Sequence, residues 1–160
     1  MEHLKIYLII MFTFTLNLYS QNWMPSYQEV SYKLYELTIN DSTFLNSLDS
    51  LIFAKKCPDI VNRTYKYFIM KIDKNSDTVY PIRIEAYKKP LANPDAIGYF
   101  TYNSYFFFIY GCNPNNIFQK TTRRKCFKYT DQELPYVEDF PYWKLDFSNA
   151  RLSLEEFDCW

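Results

Sequence analysis

The 160-residue chain holds only two glycines, Gly98 and Gly111, and a single histidine, His3. A phosphate-cradling G-x-x-x-x-G-K-[ST] loop, a dinucleotide-binding G-x-G-x-x-G and a G-x-S-x-G nucleophile elbow all need closely spaced glycines. With the two glycines thirteen positions apart, none of the three occurs. An excess of charge of one sign is also missing. The 18 Lys+Arg face 18 Asp+Glu. A balanced chain gains little from counterion release, so nucleic acid is not an expected partner. There is no internal repeat, low-complexity tract or Gly/Ser linker, and the length suits one domain.

The start of the chain reads as a leader. Lys5 and Glu2 precede an uncharged run that extends to Gln28, with its apolar core from Ile6 to Leu18. Ser20 suits a signal-peptidase cut before Gln21. Thr13, Thr15 and Asn17 dilute the run, which is poor as a permanent span of about 20 predominantly apolar residues. The expected division is a signal peptide over 1–20 and a single exported α+β domain over 21–160, in the periplasm, at the cell surface or outside the cell. The alternative is a retained anchor. Cleavage would leave 140 residues without a histidine. Ser-His-Asp and Cys-His nucleophilic pairs and His-containing zinc sites are then excluded. No catalysis and no cofactor are expected.

The cysteines are Cys57, Cys112, Cys126 and Cys159. An even count in an exported domain reads as two disulfides, with three possible connectivities. A four-cysteine zinc site shows two close pairs, whereas the gaps here are 55, 14 and 33 positions, so no metal is expected. If the segments flanking Asn113-Pro114-Asn115-Asn116 form a hairpin, Cys112 faces Ile117 and Cys126 lies about 30 Å further along the strand. A disulfide needs Cα atoms within about 7 Å, so Cys57 and Cys159 are each expected to bond one of the middle two.

The clearest element is a helix over Ser42 to Lys56, with Phe44, Leu45, Leu48, Leu51 and Ile52 on one face and Asn40 or Asp41 as its cap. Strands are expected at Val30–Ile39, Thr64–Ile72, Thr78–Lys88 and Ile117–Thr130. Gly98–Gly111 forms one long strand or two broken at Asn103-Ser104. A proline-spaced crossing (Pro135, Pro141) leads to a hairpin, with Trp143, Leu145 and Phe147 on one arm and Leu152, Leu154 and Phe157 on the other. Pro81 lacks an N–H and marks its strand as an edge near its start. The fold class is α+β: one amphipathic helix packed on a predominantly antiparallel sheet of six to eight strands.

Three motifs invite a function, and each also has a plainer reading. Asp73-Lys74-Asn75-Ser76-Asp77 matches the start of an EF-hand loop, but Thr78 and Ile84 stand where Gly and a bidentate Glu belong, so a hairpin turn is expected. Lys120, Arg123, Arg124, Lys125 and Lys128 interleave with Phe127 and Tyr129, as a single-strand nucleic-acid surface would; a self-neutralised face or an acidic partner is preferred. Glu133, Glu138, Asp139 and Asp146 sit among Tyr136, Phe140, Tyr142 and Trp143. A glycosidase pairs two such acids about 5 to 9 Å apart. Asn40-Asp41-Ser42 and Asn62-Arg63-Thr64 are formal glycosylation sequons.

Aromatic residues are the strongest unusual feature, 33 of 160. Between Tyr99 and Tyr110 both strand faces are aromatic, while one helix can cover only one. Either the C-terminal hairpin folds over the second face or a Tyr-rich surface stays wet and makes contacts. The candidate binding residues are Tyr99, Tyr102, Tyr105, Phe107, Tyr142 and Trp143. The expected function is a small secreted or periplasmic binding protein, inhibitor- or immunity-like or carbohydrate-binding, whose partner is another protein or a carbohydrate. The alternatives are a hydrolase using the acids of 133–146 and a membrane-tethered structural component.

Overall fold

A computed structural model describes residues 29–53, 64–90, 94–130 and 141–159. Its elements are β1 (Glu29–Ile39), α1 (Ser42–Leu48) with a wider turn over Asp49–Phe53, β2 (Tyr67–Ile72), β3 (Val79–Tyr87), β4 (Gly98–Tyr102), β5 (Tyr105–Gly111), β6 (Phe118–Thr130), β7 (Tyr142–Ser148) and β8 (Arg151–Asp158). The leader, Cys57, the sequon at Asn62 and the crossing that holds Glu133, Glu138 and Asp139 lie outside the described residues.

The eight strands form one open sheet in the order β6-β1-β4-β5-β2-β3-β7-β8. The sheet is mixed, which corrects the expectation of antiparallel pairing. The β4–β5 hairpin stands between β1 and β2, so β4 runs parallel to β1 and β5 parallel to β2. The expected hairpin across Asn113–Asn116 is also absent. After β5 the chain crosses to the far side of β1, and β6 pairs there in antiparallel register.

The helix forms where the apolar spacing requires it. The Asp41 side chain accepts hydrogen bonds from the Thr43 and Phe44 amides and caps the start. Phe44, Leu48 and Ile52 are fully buried, with Leu45 and Leu51 packed beside them. They press on one sheet face, called inner here, which carries Phe68, Met70, Ile72, Ile82, Ile84, Ala86, Phe100, Phe107, Ile109, Trp143, Leu145 and Phe147. Among the described residues no helix is long and apolar enough to cross a membrane.

Local details follow from residue chemistry. Asn103 and Ser104 have positive φ and turn the chain between β4 and β5; Asn149 and Ala150 do the same between β7 and β8. The Asp73–Asp77 segment is a polar hairpin turn, closed by the Lys74–Asp77 ion pair at 2.8 Å. β3 is an interior strand, not the edge that Pro81 implied. Pro81 is accommodated because it sits just past the end of the β2 ladder, which closes at Ile72–Ile82. Its carbonyl still accepts from the Asp73 amide at 2.9 Å, so the missing N–H costs one bond at a strand end.

The two glycines serve packing. A Cβ at Gly98 would stand 2.6 Å from the Tyr35 carbonyl oxygen and 2.8 Å from the Leu37 side chain. Gly111 has φ +84°, and a Cβ there would lie 2.2 Å from the Ile72 carbonyl oxygen. The cysteines differ from expectation: Cys112 is half-buried and Cys126 exposed, and both are free thiols. Cys159 is disulfide-bonded, and its partner lies outside the described residues. The reach assumed for the middle cysteines rested on the hairpin that the fold lacks.

Two outcomes are expected. Gly98→Ala forces β1 and β4 apart where Glu36 faces Tyr99, and should cost about 1–3 kcal/mol in a urea titration. Alkylation without reduction should modify Cys126 first and Cys112 more slowly while leaving Cys159 intact, as peptide mass mapping would show.

Candidate functional site

Alternation along each strand decides what faces away from the helix. With Phe68, Phe107, Ile82 and Trp143 turned inward, the outer face receives Tyr67, Ile69 and Lys71 from β2, Phe106, Phe108 and Tyr110 from β5, Arg83, Glu85 and Tyr87 from β3, and Tyr142 and Lys144 from β7. The registers arrange these into rows that cross the sheet. One runs Phe106–Tyr67–Tyr87, the next Tyr99–Phe108–Ile69–Glu85–Tyr142, and the third Tyr110–Lys71–Arg83–Lys144–Glu156. The face is aromatic at the β4–β5 end and charged at the β7–β8 end.

Part of the aromatic end is covered, though not by the C-terminal hairpin, which instead extends the sheet. β1 meets β4 at one residue pair, and its register with β6 shifts between Tyr35 and Leu37. The ribbon made by β1 and β6 therefore bends over the outer face. Phe127 of β6 sits 4.9 Å from Phe108 of β5 and 5.0 Å from Tyr99, ring centre to ring centre. In a flat sheet, strands three apart would be about 14 Å from each other. Leu34, Tyr99, Phe108 and Phe127 form a second small core there.

Half-buried rings remain beside that core. Tyr67 stacks on Phe106 at 5.6 Å, and the Lys125 ammonium lies 4.2 Å from the Phe106 ring centre. The basic run of β6 is spent largely on the chain's own aromatics. Lys120 and Arg124 both lie over Tyr35, whose hydroxyl also accepts from Arg124, and Arg123 is 4.0 Å from Glu36.

At the charged end Glu85 is the centre. Its side chain is 12% exposed, and both oxygens are occupied: Arg83 Nε lies 2.6 Å from Oε1, and the Tyr87 hydroxyl donates to Oε2 at 2.6 Å. Lys71 stands 3.9 Å from Oε2. Burial, followed by the bond to Glu85, pushes the Tyr87 phenol well above its usual range. Next to it Glu156 takes bonds from Lys144 and the Tyr142 hydroxyl; these hold its carboxyl below the usual carboxylate range, while its bond to Tyr142 raises that phenol. The Arg83 guanidinium carbon lies 5.7 Å from the Tyr142 ring centre.

The six candidate binding residues are divided between the two faces. Tyr105, Phe107 and Trp143 are buried in the inner core, and Tyr102 is half-buried at the end of the helix segment, where Asp49 is its neighbour. Tyr99 is on the outer face but buried beneath Phe127. Tyr142 alone is both outward and accessible. Sequence reasoning missed Tyr67, Phe106, Arg83, Glu85 and Tyr87. The signal was present in the Ile82, Ile84, Ala86 alternation, whose complement is Arg83, Glu85, Tyr87. Of the acids offered for hydrolysis, Asp146 is described, and it faces away from Trp143. Among the described residues no group of three His, Cys, Asp or Glu could hold a metal ion.

No protein-family model, curated protein or solved structure matches the chain.

The phenol assignments have a pH consequence. Tyr87 ionises later in the folded state than in the unfolded chain, so its contribution is complete below about pH 10 and lost as pH rises above it. In an alkaline absorbance titration Tyr87 should ionise after the exposed tyrosines, and Tyr87→Phe should remove that late step.

Proposed function

We propose that the chain is a non-catalytic binding protein of the exported class, that it works from the outer face of its sheet, and that its partner is a protein. The observation that carries this is the orientation of the half-buried rings. A sugar stacks on the open face of an aromatic ring, but here the ring faces are turned toward other side chains. Tyr67 and Phe106 are parallel within 20°, Tyr67 and Phe108 within 14°, and Lys125 caps Phe106. What this leaves beside the stacked rings is half-buried Tyr142 and exposed Arg83. Tyrosine and arginine around partly buried aromatics are the composition of protein contact hot spots. The side chains are also ordered before any partner arrives, which lowers the entropy cost of association.

Partner capture from the host envelope by the immobilised full chain is the direct test. Phe106→Ala and Tyr142→Ala should each weaken the captured complex by about thirtyfold, roughly 2 kcal/mol, with circular dichroism unchanged. Retention of a polysaccharide, competed away by soluble glycan, would reject the protein reading.

A further inference from the structure

The two edges of the sheet are not alike. At one edge β6 carries Lys120, Arg123, Arg124, Lys125 and Lys128 and no acid, which guards it against pairing with its own copy. At the other edge β8 has no lysine and no proline, and among the described residues it pairs with β7 alone. The two-residue turn Asn149-Ala150 makes Ser148 and Arg151 the closing hydrogen-bonded pair of this hairpin. Alternation then turns the backbone groups of Ser153 toward β7 and those of Leu152 and Leu154 toward the open edge. The side chains alternate as well. Leu152, Leu154 and Phe157 pack on the inner core, while Ser153, Glu156 and Asp158 stand opposite Asp146, Lys144 and Tyr142 on the outer side.

We propose that β8 is the edge on which a second copy of this chain docks, antiparallel across a two-fold axis between Leu154 and Glu155. The strand is self-complementary in that register. Arg151 of one copy faces Asp158 of the other at both ends of the ladder, and among the described residues neither takes part in an ion pair. Leu152 meets Phe157 on the inner side and Ser153 meets Glu156 on the outer side, so each pair lies on one face. The shift in the β7–β8 register, which leaves Glu155 without a partner on β7, makes this match possible. Leu152 and Phe157 are five positions apart, and an unshifted strand would turn them to opposite faces. Glu156 is taken by Lys144 within its own hairpin, so the one repulsive contact is between the two Glu155 side chains near the axis. A single edge-to-edge ladder is a small interface, which makes the dimer concentration-dependent. The proposal goes beyond the outer-face reading and does not depend on it; two copies so joined present that face twice.

Sedimentation equilibrium of the full chain over a range of concentrations should show a monomer–dimer equilibrium that stops at two copies. Arg151→Asp and Asp158→Arg should each weaken the dimer about tenfold, because each replaces two attractive contacts with two repulsive ones. The double variant, Arg151→Asp with Asp158→Arg, restores opposite charges and should recover most of the lost affinity. Glu155→Gln should tighten the dimer. Amide exchange followed by NMR reads the ladder itself. The Leu152 and Leu154 amides should gain protection as concentration rises, whereas the Ser153 amide, already bonded within the hairpin, should not. A chain that stays monomeric at every concentration overturns the proposal, as does a dimer that ignores both single reversals. A double variant as weak as the single ones overturns the register. Growth beyond two copies, which β8 pairing with β6 would give, overturns the two-fold axis.

Discussion

A continuous line of rings across the inner face holds the sheet together. It runs from Phe118 on β6 to Phe100 on β4, Phe107 on β5, Phe68 on β2, Trp143 on β7 and Phe157 on β8, with successive centres 4.7 to 6.1 Å apart. The line crosses the thinnest joint of the sheet, where β1 and β4 pair at one position, through Phe118 and Phe100. β2 and β5 join two four-stranded halves through a parallel ladder, and the stacked pair Phe68–Phe107, 4.7 Å between centres, sits on that seam. Aromatic contacts of this kind contribute about 0.5–1.5 kcal/mol each beyond the area they bury. Ala86 is part of the same device: it is fully buried on β3 between Phe68 and Trp143, and a larger side chain would separate the two rings. The indole Nε1–H of Trp143 is buried without an acceptor, a cost of about 1–3 kcal/mol that the packing around it must exceed.

The ring line determines what the other face can be. Once alternate residues of β2, β5, β3 and β7 are committed to the helix side, their neighbours must point outward. In β5 those neighbours are again aromatic, so the outer face would be a bare apolar surface. The β1–β6 ribbon meets this by bending at its register shift and laying Phe127 on Phe108 and Tyr99. Gly98 permits the close approach of β1 on which that bend depends. In β3 and β7 the neighbours are charged, and they satisfy one another around Glu85 and Glu156.

Elements governed by local chemistry were legible before the structure. The Phe44–Leu48–Ile52 face and the Trp143–Phe157 hairpin follow from spacing; of the two capping residues offered Asp41 is the cap, and of the two readings of Gly98–Gly111 the break at Asn103-Ser104 is the one formed. Strand order was not legible, because neighbours in a sheet are chosen by long-range packing. That is why the chain on either side of Asn113–Asn116 reads as a hairpin while β6 lies beyond β1. Pro81 misled for the same reason: its tolerance depends on where β2 stops. For the site, the periodicity that located Ile82, Ile84 and Ala86 was applied to the core and not to its complement, so Arg83, Glu85 and Tyr87 went unread. Aromatic density pointed to β5 without saying which rings face out, and Phe107 and Trp143 are the most deeply buried of those chosen.

The two faces of the sheet carry different kinds of contact. The inner face packs the strands together, and on the outer face Glu85 and Glu156 each sit beside cations. Glu85 and Glu156 each lie beside a cation and accept from a tyrosine hydroxyl, which fixes both carboxylates as acceptors. Order of this kind benefits a contact surface, because rings and a guanidinium held in place lose little freedom when a partner covers them. The same neutral bookkeeping is visible in β6, where the cations over Tyr35 and Phe106 cover apolar surface rather than project a field.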